Sequence, residues 1–97
     1  MNDQVRNEFI AKMKDRLDQI DQEIETIKGK SEEYKAQAHL EYEKRLHELR
    51  ENRRDVNRKI NDLNAAGEEK WQQLKDEAEH SWKALSNSFN YFKSHFK

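Results

Sequence analysis

Residues 61–96 read NDLNAAGEEKWQQLKDEAEHSWKALSNSFNYFKSHF. Leu63, Leu74, Leu85 and Phe96 stand eleven residues apart, as do Gly67, Ala78 and Phe89, and so do Ile60, Trp71 and Trp82. Eleven residues fill three turns at about 3.67 per turn, so this part of the chain predicts a nearly straight helix. At about 100° per residue, Trp71, Leu74, Ala78, Trp82, Leu85, Phe89, Phe92 and Phe96 share one sector roughly 80° wide, and Tyr91 falls outside it. Burying each large side chain of that stripe is worth about 1.5–3 kcal/mol, so leaving it in water would forfeit on the order of 10 kcal/mol. Something must cover it.

Working backwards, Asn64 and Gly67 in LNAAGEE offer capping and a left-handed backbone position. Glu68 and Glu69 suit the positive first turn of a following helix. A turn at 64–67 would fold the aromatic helix back onto Leu46, Leu49, Val56, Ile60 and Leu63. Those residues belong to a heptad seam that starts at Met13 and continues through Leu17, Ile20, Ile24, Ile27, Ser31, Tyr34 and Ala38. It slips by one stutter across Ala38, Tyr42 and Leu46. Arg53 occupies a seam position, where a polar residue fixes register or partner or carries its head out to the edge. Within KGKSEE, Gly29 weakens the helix and Ser31 can cap a new one, but the seam keeps its phase there.

Composition fits long helices. The chain has 97 residues, 33% hydrophobic and 40% charged, with two glycines and no proline, too polar for an ordinary globular core. Residues 1–33 carry 6 basic and 9 acidic side chains and residues 34–67 carry 8 and 6, so an acidic first third complements a basic middle. The absence of cysteine excludes disulfides and thiol chemistry. No run reaches transmembrane length and the N-terminus lacks an apolar leader core, so the expected setting is cytoplasmic. A net charge of −1 argues against general polyanion binding.

Catalytic patterns are missing: there is no phosphate-binding glycine loop and no nucleophile elbow. Glu77 and His80 form one Glu-x-x-His unit, half of what a di-metal bundle needs, and His80 points away from the stripe. His39, Glu43 and His47 are better spaced for a surface ion. RENRRDVNRKI resembles the basic region of a zipper protein only superficially, because Glu48, Glu51 and Asp55 interrupt it and Val56 and Ile60 belong to the seam. A solvated electrostatic patch of Arg50, Arg53, Arg54 and Arg58 is the better reading.

Ala66, Gly67, Trp71, Leu74, Lys75, Trp82, Leu85 and Phe89 together resemble the C-terminal pattern of largely uncharacterised small bacterial coiled-coil proteins, sometimes labelled stress-associated. The resemblance implies an all-helical, cytoplasmic, non-enzymatic protein with no assigned ligand. A looser likeness to the repeats of exchangeable apolipoproteins keeps a lipid surface in view.

The expectation is therefore an all-α coiled-coil hairpin of helix 3–64, turn 64–67 and helix 68–96, with, as the alternative, a further break near Gly29 giving a three-helix arrangement. Residues 1–97 form one unit, with 1–64 the charged heptad helix and 68–97 the aromatic hendecad helix. Trp71, Leu74, Trp82, Leu85, Phe89, Phe92 and Phe96 are the seam or partner-binding residues. If the last helix covers itself on residues 46–63, the Met13–Ile27 seam is left for another chain. The expected partner is a second copy or a larger protein complex, or else a lipid or granule surface. No catalytic residue, metal or cofactor and no sequence-specific nucleic acid is expected.

Overall fold

The computed structural model describes residues 3–96, so Met1, Asn2 and Lys97 of the expected 1–97 unit lie outside the described residues. Three helices follow one another: α1 spans Asp3–Lys30, α2 Ala36–Ala65 and α3 Glu68–His95, with a short 3₁₀ turn at Ser31–Glu33 between α1 and α2. They form an elongated bundle of 52 × 18 × 18 Å. The three-helix arrangement holds, and the unbroken helix 3–64 does not.

The break falls just after Gly29, which lies inside α1. Tyr34 (φ −77°, ψ 143°) and Lys35 (φ −66°, ψ 158°) are extended and turn the chain back. Ser31 does not cap α2; its hydroxyl donates to the Lys28 carbonyl at 2.7 Å. The physical reason for the break is tertiary. Folding α1 back buries Ile10, Met13, Leu17, Ile20, Ile24 and Ile27, on the order of 10 kcal/mol at about 1.5–3 kcal/mol each. That outweighs a few residues of helix preference, each worth only tenths of a kcal/mol. The expectation that this seam is left for another chain is thus corrected, because the chain's own hairpin covers it.

The second turn falls where the sequence places it, at Ala66 and Gly67, by a different backbone route. Gly67 is extended (φ −82°, ψ 173°) rather than left-handed, and nothing lies within 4 Å of where its Cβ would stand. It therefore does not serve a close helix approach. Its carbonyl instead accepts the N–H groups of Lys70 and Trp71 and starts α3.

Cross-helix contacts fix the topology as up, down, up. α2 runs against α3: Asn52 Nδ2 donates to Ser88 Oγ (2.7 Å) and Ser81 Oγ to Asp55 Oδ2 (2.7 Å). Further along the same pair, Lys59 stands 4.0 Å from Glu77. α1 runs parallel to α3: Phe9 meets Trp71 edge to face, Arg16 lies over Trp82, and Lys93 reaches Glu23. α2 and α3 pack most closely, since α3 turns the small Ser81 and Ser88 toward α2, while indole and benzyl rings hold α1 further off.

One end of the bundle is an aromatic cluster of Tyr34, Tyr42, Phe92 and Phe96, with ring centroids 5.2–6.0 Å apart. Such pairs add about 0.5–1.5 kcal/mol each beyond area burial. Tyr34 Oη donates to the Phe96 carbonyl at 2.6 Å. Tyr42 is 1% exposed and its hydroxyl has no hydrogen-bond partner among the described residues. Burial pushes the Tyr42 phenol up.

Candidate functional site

The aromatic residues singled out by spacing make up the bundle's interior rather than an outer face. Trp71, Leu85, Phe89, Phe92 and Phe96 are buried, and Leu74 and Trp82 are partly buried against them. Trp82 keeps one edge in a shallow groove between α1 and α3, with Arg16, Gln19, Ile20 and Ser86 around it. Tyr91, the residue outside the stripe, is surface-exposed. It stacks on His95 at 4.0 Å and receives the Arg45 guanidinium 4.7 Å from its ring centre, an exposed cation–π stack that ties α3 to α2.

The histidine constellation does not come together as spaced. His39 pairs with Glu43 at 3.8 Å, but His47 turns to Glu51 at 3.9 Å. Glu77 reaches across to Lys59 and His80 is exposed. Among the described residues no three His, Asp or Glu side chains gather to hold an ion.

The arginines of α2 share a region, and they divide into two kinds. Arg53 projects from the seam edge and grips Asp21 of α1 with both prongs, at 2.7 and 2.8 Å. Two parallel charge-assisted bonds fix the relative register of α1 and α2, and the Asp21 hydrogen bond holds the guanidinium more firmly charged than usual. Both side chains are about one third exposed (35% and 38%), so the net gain is about 1 kcal/mol rather than that of a buried pair. Arg50, Arg54 and Arg58 are exposed. Arg54 meets Glu51 at 3.4 Å. Arg50, Arg53 and Arg54, with Asn57, Asp21, Ile24 and Glu25, line an open groove of about 610 Å³ between α1 and α2.

The four arginines stand out together in the sequence, but Asp21, which anchors Arg53, does not. Nor does Arg6, which donates to the Leu63 carbonyl at 3.3 Å and to the Ala66 carbonyl while lying 4.7 Å from the centre of the Trp71 ring. The one available signal was negative: α2 has no basic residue in its last turn, so the negative end of its dipole needs a cation from elsewhere. The polar pairs Asp55–Ser81 and Asn52–Ser88 had no sequence signal at all.

None of the described helices is long and apolar enough to cross a membrane. Comparison of the chain with models of protein families, with curated proteins and with solved structures gives no match.

Proposed function

We propose that the chain is a non-enzymatic interaction module: a self-covered helical scaffold that meets a protein partner through the basic flank of α2. The observation that carries this reading is the division of labour between surfaces. The apolar seam is spent on the chain's own core, whereas Arg50 stands exposed on the groove between α1 and α2 and Arg58 is exposed further along the same helix. Arginines at the rim of a groove favour carboxylate-bearing partners through their bidentate geometry, so an acidic segment of another protein is the fitting occupant. The C-terminal motif's resemblance to small bacterial coiled-coil proteins agrees with a non-enzymatic role. A contact made through the aromatic stripe, whether with protein or with lipid, would first have to lift α1 from the hairpin and is the less economical reading.

The test is the double reversal Arg50→Glu with Arg58→Glu. Both sites are on the surface, where substitutions usually shift stability by less than about 0.5 kcal/mol, so the variant should keep its helicity and melting temperature. It should lose partners captured at low salt by the native sequence. Full retention of those partners by a folded variant would move the contact elsewhere. Trp71 and Trp82 emission on adding anionic vesicles should stay unchanged; a blue shift would favour the lipid surface instead.

A further inference from the structure

The turn between α1 and α2 is the least specified joint of the fold. Lys35, at the N-cap of α2, makes no side-chain capping bond, although its carbonyl accepts the His39 N–H, and the first turn of α2 holds no acidic residue. A lysine there opposes the helix dipole. No described residue has a positive φ, so the turn rests on no left-handed position. The turn between α2 and α3 also lacks a side-chain cap at Gly67, but it has Glu68 and Glu69 in the first turn of α3 and Arg6 gripping the end of α2.

Across this weak joint the sequence retains an uninterrupted helical face. Ile24, Ile27, Ser31, Tyr34, Ala38 and Tyr42 follow at steps of three and four, as a continuous seam requires. In the closed bundle that continuity is wasted, because Ala38 is exposed. The ties from α1 to the hairpin include side-chain contacts with α2, with α3 and with the turn between them: Arg6 with Leu63 and Ala66, Phe9 with Trp71 and Lys75, Arg16 with Trp82, Asp21 with Arg53, Glu23 with Lys93. A second copy can supply each of them equally well.

We propose that α1 exchanges between two copies of this chain. Residues 31–35 straighten into helix, α1 and α2 merge, and the α1 of each copy docks on the α2–α3 hairpin of the other. Because α1 is antiparallel to α2, the two merged helices run antiparallel and are related by a two-fold axis near residues 31–38. A merged helix from residue 3 to 65 is about 95 Å long at 1.5 Å per residue. The swapped dimer keeps the same α1 docking contacts, gives up the Tyr34–Phe96 tie of the closed turn, and buries seam positions 34 and 38. Exchange of an identical element through a short hinge is a low-cost route to a dimer.

Lys35→Pro separates the two forms. Its φ of −66° suits proline, Tyr34 before it is already extended, and no turn hydrogen bond starts from its N–H. Proline inside a merged helix would weaken the dimer by roughly a hundredfold or more per chain. Native protein, refolded at high concentration and measured by light scattering, should give monomer and dimer. Lys35→Pro should give monomer alone, and Tyr34→Ala, which removes the tie to Phe96 and favours helix, should give more dimer. A dimer that Lys35→Pro keeps in equal proportion, or a chain that stays monomeric even as Tyr34→Ala, would overturn the proposal. A second readout does not depend on the variants. Spin labels at exposed positions 7 and 61, with labelled chains diluted into an excess of unlabelled ones, should lie close together in the monomer and many tens of ångströms apart in the dimer. A short distance in the diluted dimer would overturn the exchange.

Discussion

Arg6 provides the sharpest test of how α1 is attached. α2 ends without a basic residue in its last turn, and Arg6 fills that lack from another helix, donating to the Leu63 and Ala66 carbonyls and stacking on Trp71. Arg6→Met keeps an unbranched stem over the indole and removes the guanidinium. Hydrogen bonds involving a charged group contribute about 1.5–3 kcal/mol, and partial exposure places this pair toward the low end. The cation–π contact adds about 0.5–1 kcal/mol, and methionine packing recovers part of the sum. The expected loss is about 2 kcal/mol. In urea, with a slope of about 1–1.5 kcal/mol/M for a chain of this size, the midpoint should fall by about 1.5 M. Arg6→Lys, which keeps the charge without the fork, should fall between. A loss below about 0.5 kcal/mol for Arg6→Met would refute the idea that this residue closes the end of α2.

Other substitutions probe separate links. Gly67→Ser should raise stability by about 1 kcal/mol and the melting temperature by about 4–8 °C, since the site is an extended N-cap with open space at Cβ; a decrease would mean the glycine is needed for its backbone. A double-mutant cycle of Asp21→Asn with Arg53→Met should give a coupling of about 1 kcal/mol that shrinks in high salt, and zero coupling at low salt would remove the register clamp. Tyr42→Phe should be neutral or stabilising by up to about 1 kcal/mol, because it deletes an unpaired buried hydroxyl. Its folded pKa is raised above the ordinary 10.0 by burial, so the fold disfavours the phenolate, and stability is unaffected below that unfolded value and falls as pH rises from it through the higher folded one. Alkaline titration of unfolding should therefore be flatter in Tyr42→Phe, and identical curves would contradict the burial of that ring.

The parts of this fold that depend on local periodicity were legible, and those that depend on tertiary cover were not. Leu63 to Phe96 repeat every eleven residues and point one way, and the glycine and two glutamates after Ala66 mark a turn, so α3 and its buried face follow from spacing. The turn at Ser31–Lys35 is marked only weakly, by Gly29 and Ser31, because the seam keeps its phase through it. Only the gain from burying Ile10 to Ile27 on the hairpin decides it. Arg53 showed itself as an odd seam residue, but its partner Asp21 lies on a helix brought alongside by that same weakly marked turn. The arginine patch was visible as composition. The groove beside it exists only once α1 folds back.

Small-angle scattering on the monomer peak, collected in line with size exclusion at low concentration, tests the self-covered bundle most directly. The closed bundle should scatter as a compact rod, with a radius of gyration close to the Cα value of 15.7 Å and a length near 52 Å before side chains and hydration are added. A monomer about 95 Å long, as one unbroken helix from residue 3 to 65 would require, would contradict it and leave the α1 seam open after all.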